Sequence, residues 1–244
     1  MGKPVPAGRE GLERISYKHL FFDLDDTLWD SRRNAAEALR ELFAAFRLAA
    51  DYGLDEDTFV TVFQRVNYAL WDRYSAGEIT QQQLRDIRFP LVFTELGIKH
   101  LPNGSEMQAF FLATCPRKPH LMPHALELLD YLQGRYRLHI ITNGFDDVQF
   151  VKLDSAGIAG YFEEVVTALR AGCQKPNRQI FDYARNRTQA APTDCLMIGD
   201  NLLADIAGAQ NADMDHVFYN PGRVAHQATP TYEIHCLRDL AELL

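Results

Sequence analysis

Three aspartates stand close together at the end of a short apolar segment near the start of the chain. The stretch "HLFFDLDDTLWD", residues 19–30, runs from residues typical of a buried strand into Asp23, Asp25 and Asp26. Because like charges repel, such a group needs a cation. Oxygen ligands without cysteine or histidine favour Mg²⁺, which binds one or two carboxylates and keeps waters and phosphate oxygens around it. The spacing therefore predicts a magnesium site.

Other polar residues occupy equivalent positions after later apolar segments. They are Thr142, Asn143, Lys175 and Asp200. Each one alone is compatible with an ordinary turn or a helix cap. As a series they mark successive strand ends, and ligands of open α/β sheets bind at the carboxyl ends of the strands. A lysine beside a metal site further indicates a phosphorylated substrate.

The segments that must position these residues alternate between strand-like and helix-like patterns. The strand-like segments are 20–25, 138–143, 162–168, 195–200 and 216–220. The helix-like segments between them are 123–133, 146–157, 177–187 and 201–212. This alternation predicts an α/β fold, a Rossmann-like parallel sheet with helices on both faces.

One interval interrupts the alternation. About 110 residues separate the first strand from the second, whereas a crossover connection needs only about a dozen. Apolar residues recur on one helical face in two parts of this interval, 39–46 and 59–70. We therefore predict an inserted all-α domain. The predicted organisation is a leader at 1–17, an α/β core formed by 18–30 and 116–244, and a helical cap at 31–115.

The composition limits the possible partners. A net charge of −8 in 244 residues disfavours binding to nucleic acid polymers or anionic membranes, because both would repel the protein. The four cysteines show no C-x-x-C spacing, and no apolar run reaches the roughly 18 residues of a membrane span. We expect a cytoplasmic protein, a monomer or small homo-oligomer, whose partner is a small phosphorylated metabolite.

The motifs resemble those of haloacid dehalogenase (HAD) superfamily phosphatases. "DLDDT" is similar to the D-x-D-x-T signature of that family, and "GDNLLAD" to its acidic motif. Thr142 and Lys175 correspond to the lone threonine or serine and the lysine of the family. The match spans about residues 18 to 222. The helical insert stands where the family has its C1 caps.

The resemblance implies roles for the first aspartates. Asp23 would be the nucleophile that forms an aspartyl-phosphate, which water then hydrolyses. Asp25 would protonate the leaving oxygen and then deprotonate the water, a role that suits a carboxyl with a raised pKa. The backbone carbonyl of Asp25 would also bind Mg²⁺. Asp26 receives no role in the reaction, since a side chain pointing away and capping a turn is expected there.

The resemblance also implies roles for the later motif residues. The side chains of Asp23 and Asp200 would complete the protein's share of the metal ligands, and Asp205 would orient them. Thr142, the amide of Asn143 and Lys175 would hold the phosphoryl oxygens and offset their charge.

Two further stretches, 71–89 and 199–221, are similar to the noncanonical pyrimidine 5′-nucleotidases. This similarity implies hydrolysis of a nucleoside 5′-monophosphate, with a pyrimidine preferred. The presence of Asp25 favours a phosphatase over a dehalogenase, because a departing halide needs no general acid. A phosphatase of small sugar phosphates or phosphoglycolate, a phosphomutase and a noncatalytic regulatory protein remain alternatives.

The substrate would be selected by the insert, where two sets of side chains are candidates: Arg85, Arg88 and Lys99 for polar contacts, and Trp71, Tyr74 and Phe89 for stacking on a base. For the charged set, the favoured interpretation is a solvated helix surface. For the aromatic set, it is core packing.

Overall fold

The computed structural model of the protein describes residues 17–99 and 104–244. Its strands form one six-stranded sheet in the order β3-β2-β1-β4-β5-β6, and every neighbouring pair is parallel. The strands are β1 (His19–Phe22), β2 (Arg137–Thr142), β3 (Phe162–Thr167), β4 (Cys195–Gly199), β5 (Asp215–Tyr219) and β6 (Tyr232–Ile234). The predicted parallel α/β fold is confirmed.

The two central strands are buried along their whole length, because helices cover both faces of the sheet. All residues of β1 and β4 are buried, as their apolar sequences require. Phe22 pairs in register with Ile140 of β2 and Ile198 of β4. The next residue, Asp23, donates its backbone N–H to the carbonyl of Ile198 at 2.9 Å. The register thus fixes Asp23 at the centre of the carboxyl edge.

A helical insert, defined here as the helices between β1 and β2 up to Thr114, interrupts the sheet in sequence. These helices are α1 (Ser31–Ala45), α2 (Leu48–Tyr52), α3 (Glu56–Ser75), α4 (Gln81–Glu95) and α5 (Gly104–Thr114). Asp30 and Asp55 cap α1 and α3 by accepting from backbone N–H groups. Thr80 and Gln83 form a capping box at α4. The inserted all-α region is therefore confirmed.

The α-helices outside the insert and one π-helix belong to the sheet-containing part of the chain. They are α6 (Ala125–Leu132), α7 (Asp146–Ser155), α8 (Ala168–Ala171), α9 (Arg178–Thr188), a π-helix (Leu202–Ala207), α10 (Gly208–Asn211) and α11 (Asp239–Leu243). The helix predicted at 201–212 is thus divided into a π-helical and an α-helical part. Strand β6 was not predicted, because three residues at a sheet edge are too short to form a readable pattern.

The predicted leader lies almost wholly outside the described residues. Only Tyr17 of it is described. That residue is 7% exposed and donates its hydroxyl to Asp215 at 2.7 Å. Within the two described ranges, none of the helices is long and apolar enough to cross a membrane.

Candidate active site

A cavity of about 250 Å³ opens at the carboxyl ends of β1, β2 and β4, beneath the helical insert. This volume far exceeds the roughly 30 Å³ that one water molecule occupies in the liquid, so a small organic molecule can enter. The site residues suggested by the sequence all line it: Asp23, Asp25, Thr142, Asn143, Lys175, Asp200 and Asp205. The structure therefore brings all seven together.

Three carboxylates converge at the floor of this cavity. Asp23, Asp200 and Asp205 each present one oxygen, and these oxygens lie within 4.8 Å of one another. Asp23 and Asp205 are buried, and Asp200 is half-buried. Thr27 donates its hydroxyl to Asp200 at 3.2 Å. Asp205 thus lies within the acidic cluster itself.

Lys175 ties two of these carboxylates to the sheet. Its side chain is 1% exposed, and Nζ lies 2.6 Å from an oxygen of Asp23 and 2.6 Å from an oxygen of Asp205. The same Nζ donates to the carbonyl of Ile141 at 2.8 Å. All three N–H bonds of the ammonium are therefore used within the chain.

Gly199 explains how Asp205 can approach the strand end so closely. A Cβ at this position would lie 2.2 Å from Oδ2 of Asp205, far inside a normal contact. The same Oδ2 accepts from the backbone N–H of Asn201 at 3.0 Å, and Asn201 caps the π-helix through its own side chain. The glycine before Asp200 is therefore needed for the shape of the acidic cluster.

The electrostatics of this cluster call for a cation. Burial raises the pKa of Asp23 to about 7; the ammonium of Lys175 opposes this rise, and the carboxylates of Asp205 and Asp25 add to it. Burial and the neighbouring carboxylates also raise the pKa of Asp200. A single lysine leaves the cluster with excess negative charge. A donor set made only of carboxylate oxygens fits a hard divalent ion such as Mg²⁺.

Asp25 has surroundings that the sequence did not indicate. Nζ of Lys152 lies 2.5 Å from its Oδ1, Ser31 donates to the same oxygen at 2.9 Å, and Gln149 donates to Oδ2 at 2.8 Å. Desolvation raises the pKa of Asp25, but the lysine charge and these hydrogen bonds outweigh it, so the net pKa is lowered. The raised pKa predicted for this carboxyl is therefore wrong for the substrate-free protein, because the prediction counted its acidic neighbours and not Lys152.

Lys152 and Gln149 share one face of α7, three residues apart, and both are buried. This spacing is visible in the sequence. The direction of that face is not, because it depends on how α7 packs against the sheet.

Thr142 and Asn143 differ in what they contact. The Thr142 hydroxyl accepts from the backbone N–H of Gly144 at 2.9 Å and from Gln149 at 3.1 Å. The Asn143 side chain instead forms two hydrogen bonds with the backbone of Lys175. It donates to the backbone carbonyl at 2.9 Å and accepts from the backbone N–H at 2.7 Å. Asn143 therefore fixes the loop that carries Lys175.

Asp26 connects the first motif to the insert. Its Oδ1 accepts from the backbone N–H of Ser31 at 3.1 Å, which is the kind of capping contact expected for it. Its Oδ2 accepts from the hydroxyl of Tyr68 on α3 at 3.0 Å, a contact that the sequence did not suggest. Arg32 in turn donates to the Tyr68 hydroxyl at 3.1 Å.

The aromatic and basic candidates of the insert differ in what they contact, and two of them contact the core. Trp71 stacks on Phe145 of the β2–α7 loop, with ring centroids 5.0 Å apart. Arg85 donates two hydrogen bonds of 2.9 Å to Asp147. Both residues thus join the insert to the core.

Of the other candidates, Phe89 is buried in the core of the insert, as favoured, and Lys99 is exposed. Tyr74 is half-buried and packs edge-on against Phe145 and Trp71. Arg88 is 3% exposed and lines the cavity, so the interpretation of this residue as solvated helix surface is wrong.

The chain is similar to known hydrolases over most of its length. A family model described as haloacid dehalogenase-like hydrolase matches residues 17–213. The pyrimidine 5′-nucleotidase PynA of Streptococcus pneumoniae is 32% identical over 239 residues, which cover 93% of this chain and 95% of that protein. The pyrimidine 5′-nucleotidase YjjG of Escherichia coli is also 32% identical over 239 residues, covering 94% and 99%.

A solved structure supports the same relationship. The magnesium-bound structure of the putative HAD-hydrolase YfnB from Bacillus subtilis is 30% identical, with a TM-score of 0.83. The alignment covers 93% of this chain and 98% of that one. Sheet and insert are thus shared with a protein of similar length.

Proposed function

The chain belongs to the haloacid dehalogenase-like hydrolases, and we propose that it is a Mg²⁺-dependent phosphomonoesterase acting on a nucleoside 5′-monophosphate, with a pyrimidine base preferred. The observation that carries the proposal is the pairing of two differently held aspartates on one cavity. Asp23 belongs to the acidic cluster and accepts a hydrogen bond from Lys175. Asp25 lies outside that cluster and accepts a hydrogen bond from Lys152. Such a division separates a nucleophile from a proton carrier.

Asp23 attacks the phosphorus in line, so that a new bond forms between Asp23 and phosphorus while the bond from phosphorus to the ester oxygen breaks. Lys175 holds the attacking carboxylate from one side, and its fixed position reduces the freedom that must be lost in the reaction. The Thr142 hydroxyl only accepts hydrogen bonds within the described part of the chain, so its hydrogen can be donated to a phosphoryl oxygen. The N–H bonds of Lys175 are taken by two carboxylates and a backbone carbonyl, so this residue contributes its positive charge, which offsets the charge of the phosphoryl group. Asn143 maintains the position of Lys175.

Asp25 moves the proton in both half-reactions. Protonated Asp25 gives its proton to the leaving oxygen and then takes one from the water that cleaves the aspartyl-phosphate. The cycle thus restores the carboxylate of Asp23 and the protonated carboxyl of Asp25. The lowered pKa of Asp25 in the free protein does not oppose this role. A dianionic phosphoryl group arriving beside Asp25 raises the pKa of that carboxyl again, against the effect of Lys152.

When bound, Mg²⁺ would neutralise the acidic cluster and offset charge on the transferred phosphoryl group. The side chains of Asp23 and Asp200 and the backbone carbonyl of Asp25 would hold it. Asp205 would orient these ligands from its contacts with Lys175 and Asn201.

The nucleotide preference is supported by the relatives named pyrimidine 5′-nucleotidases and by the extension of the cavity beneath the insert. The insert at 31–115 would act as the cap, with 18–30 and 116–244 as the core. All four cysteines are unpaired, which supports a reducing compartment such as the cytoplasm. We take the active form to be a monomer or small homo-oligomer.

The test has two parts, both with the purified protein. Turnover of UMP is measured with Mg²⁺, in excess chelator, and after Mg²⁺ is restored. We expect activity to disappear and return. Full turnover in chelator would contradict the metal requirement.

In the second part, kcat/KM is compared for UMP, dUMP, phosphoglycolate and glucose phosphates at fixed Mg²⁺. The nucleotides should be the better substrates, because base and ribose contacts align the phosphoryl group. If a small phosphate exceeded every nucleotide by tenfold, about 1.4 kcal/mol of transition-state binding, the nucleotidase proposal would fail.

A further inference from the structure

Arg88 occupies an unusual position at the side of the cavity formed by the insert. It is on α4, is 3% exposed and lines the same cavity as Asp23 and Asp25. Its guanidinium lies 5.9 Å from the ring centroid of Phe63 on α3 and 5.5 Å from that of Phe111 on α5. A basic group is therefore enclosed between two aromatic side chains, at a site where apolar packing would have sufficed.

The hydrogen-bonding capacity of Arg88 is not used by the protein. A guanidinium carries five N–H donors. Its Nε is buried without an acceptor, and among residues 17–99 and 104–244 the Arg88 side chain forms neither a hydrogen bond nor an ion pair. Arg85, one turn earlier on the same helix, has Asp147 as its carboxylate partner. Nε of Arg85 is also buried without an acceptor, so the two arginines differ in the carboxylate partner, which Arg88 does not have within the described ranges.

The charge of Arg88 persists despite this enclosure. Burial lowers the pKa of Arg88 to about 10, so the group remains protonated at neutral pH. The faces of Phe63 and Phe111 offset part of the charge through cation–π contacts. They do not satisfy the N–H of Nε, and an unsatisfied buried donor destabilises the fold. The described residues provide no acceptor for Nε, and an acceptor on a bound molecule would satisfy it.

Building on the proposed function, we propose that Arg88 selects the substrate by donating hydrogen bonds to a carbonyl oxygen of the nucleotide base. A flat heterocycle can pack against the neighbouring aromatic walls while its carbonyl edge faces the guanidinium. The phosphoryl group would then lie at Asp23, at the other side of the same cavity. A sugar phosphate without a base leaves the donors of Arg88 unpaired.

The test compares UMP with ribose 5-phosphate, which is the same ester without the base, in Mg²⁺. The variants are Arg88→Met, which keeps an unbranched apolar side chain, and Arg88→Lys, which keeps the charge but loses the planar fork. Arg65→Met is the matched control, because Arg65 lies on the exposed surface of the insert and pairs with Glu95. The measured quantities are kcat/KM for each substrate and Tm.

We expect Arg88→Met to lower kcat/KM for UMP about 10- to 100-fold more than for ribose 5-phosphate, the range of one charged hydrogen bond. Arg88→Lys should lose most of the same preference. Arg65→Met should change neither substrate. Tm of Arg88→Met should rise, because the variant removes a buried charge without an anionic partner.

Three results would overturn the assignment of Arg88: equal losses for both substrates, full preference for UMP in Arg88→Lys, or a wild-type protein that hydrolyses both esters equally well. Equal losses with a lowered Tm would assign Arg88 to folding. Failure of the proposed function is distinguishable, since the wild-type protein would then either hydrolyse neither ester in Mg²⁺ or hydrolyse ribose 5-phosphate at least tenfold better than UMP.

Discussion

The two sides of the cavity differ in whether their buried charged groups have partners of opposite charge. At the side of the sheet, Lys175 satisfies Asp23 and Asp205, and Lys152 satisfies Asp25. At the side of the insert, Arg88 is enclosed by aromatic rings and has no anionic partner among the described residues. The acidic groups of the sheet side are thus paired with lysines, whereas Arg88, the proposed base-binding group, has no such partner within the described ranges.

This difference follows from how the two sides are built. The groups proposed to react lie at strand ends, where backbone hydrogen bonds hold them, as between Asp23 and Ile198. The insert contributes helix faces whose position depends on packing against the core at Phe145 and Asp147.

The largest effect on turnover should come from a substitution of Asp23, at the centre of the sheet side of the cavity. Asp23→Asn removes the proposed nucleophile and leaves a neutral group beside Lys175, so kcat should fall by roughly 10⁴-fold or more. Steady-state turnover of UMP measures this. Asp57→Asn is the control, since its side chain is 83% exposed. Near-normal turnover in Asp23→Asn would remove Asp23 from the role of nucleophile.

A smaller effect is expected at the second aspartate. Asp25→Asn keeps a backbone carbonyl for the metal and loses the proton carrier, so turnover should slow by roughly 10²–10⁴-fold. The rise of Tm on adding Mg²⁺ should be largely retained. Turnover close to that of the wild-type protein would show that another group transfers the proton.

The shape of the acidic cluster can be tested without changing a charge. Gly199→Ala places a Cβ against Asp205, and such overpacking should lower the free energy of unfolding by about 1–3 kcal/mol. Urea unfolding measures it, and Mg²⁺ should also bind more weakly. The control is Gly160→Ala, where a Cβ has nothing within 4 Å. Equal stability of both variants would contradict the close approach.

The smallest effect should come from the partnered arginine of the insert. Arg85→Met and Asp147→Asn break an ion pair whose carboxylate is 59% exposed, and such pairs contribute about 0.2–1 kcal/mol. A double-mutant cycle in urea unfolding measures the coupling. We expect UMP selection to change much less than in Arg88→Met. An equal loss of selection in Arg85→Met would remove the contrast between the two arginines.

Much of the sheet was predictable because most of its strands are short apolar runs that can be recognised from local sequence alone. The last four predicted strands agree with β2 to β5 within one residue at each end. The first was predicted to run to residue 25 but ends at Phe22, since the chain turns and Asp26 adopts a positive φ of 62°. The division of the helix at 201–212 was not predictable, because the apolar pattern does not distinguish π-helical from α-helical turns.

The sequence by itself determined which residues would meet at the floor of the cavity. Parallel strands bring their carboxyl ends to one edge, so order along the chain was sufficient to group Asp23, Thr142, Lys175 and Asp200. Such grouping depends on backbone direction alone, which alternating strands and helices specify.

Only the tertiary structure decided which partners these residues would have. Lys152 lowers the pKa of Asp25 from a helix 127 positions away in sequence, and Tyr68 reaches Asp26 from the insert. The aromatic surroundings of Arg88 likewise could not be predicted from the sequence, since its neighbours come from α3 and α5. A residue type indicates what a side chain can donate or accept. Whether a partner is there depends on the packing of distant segments.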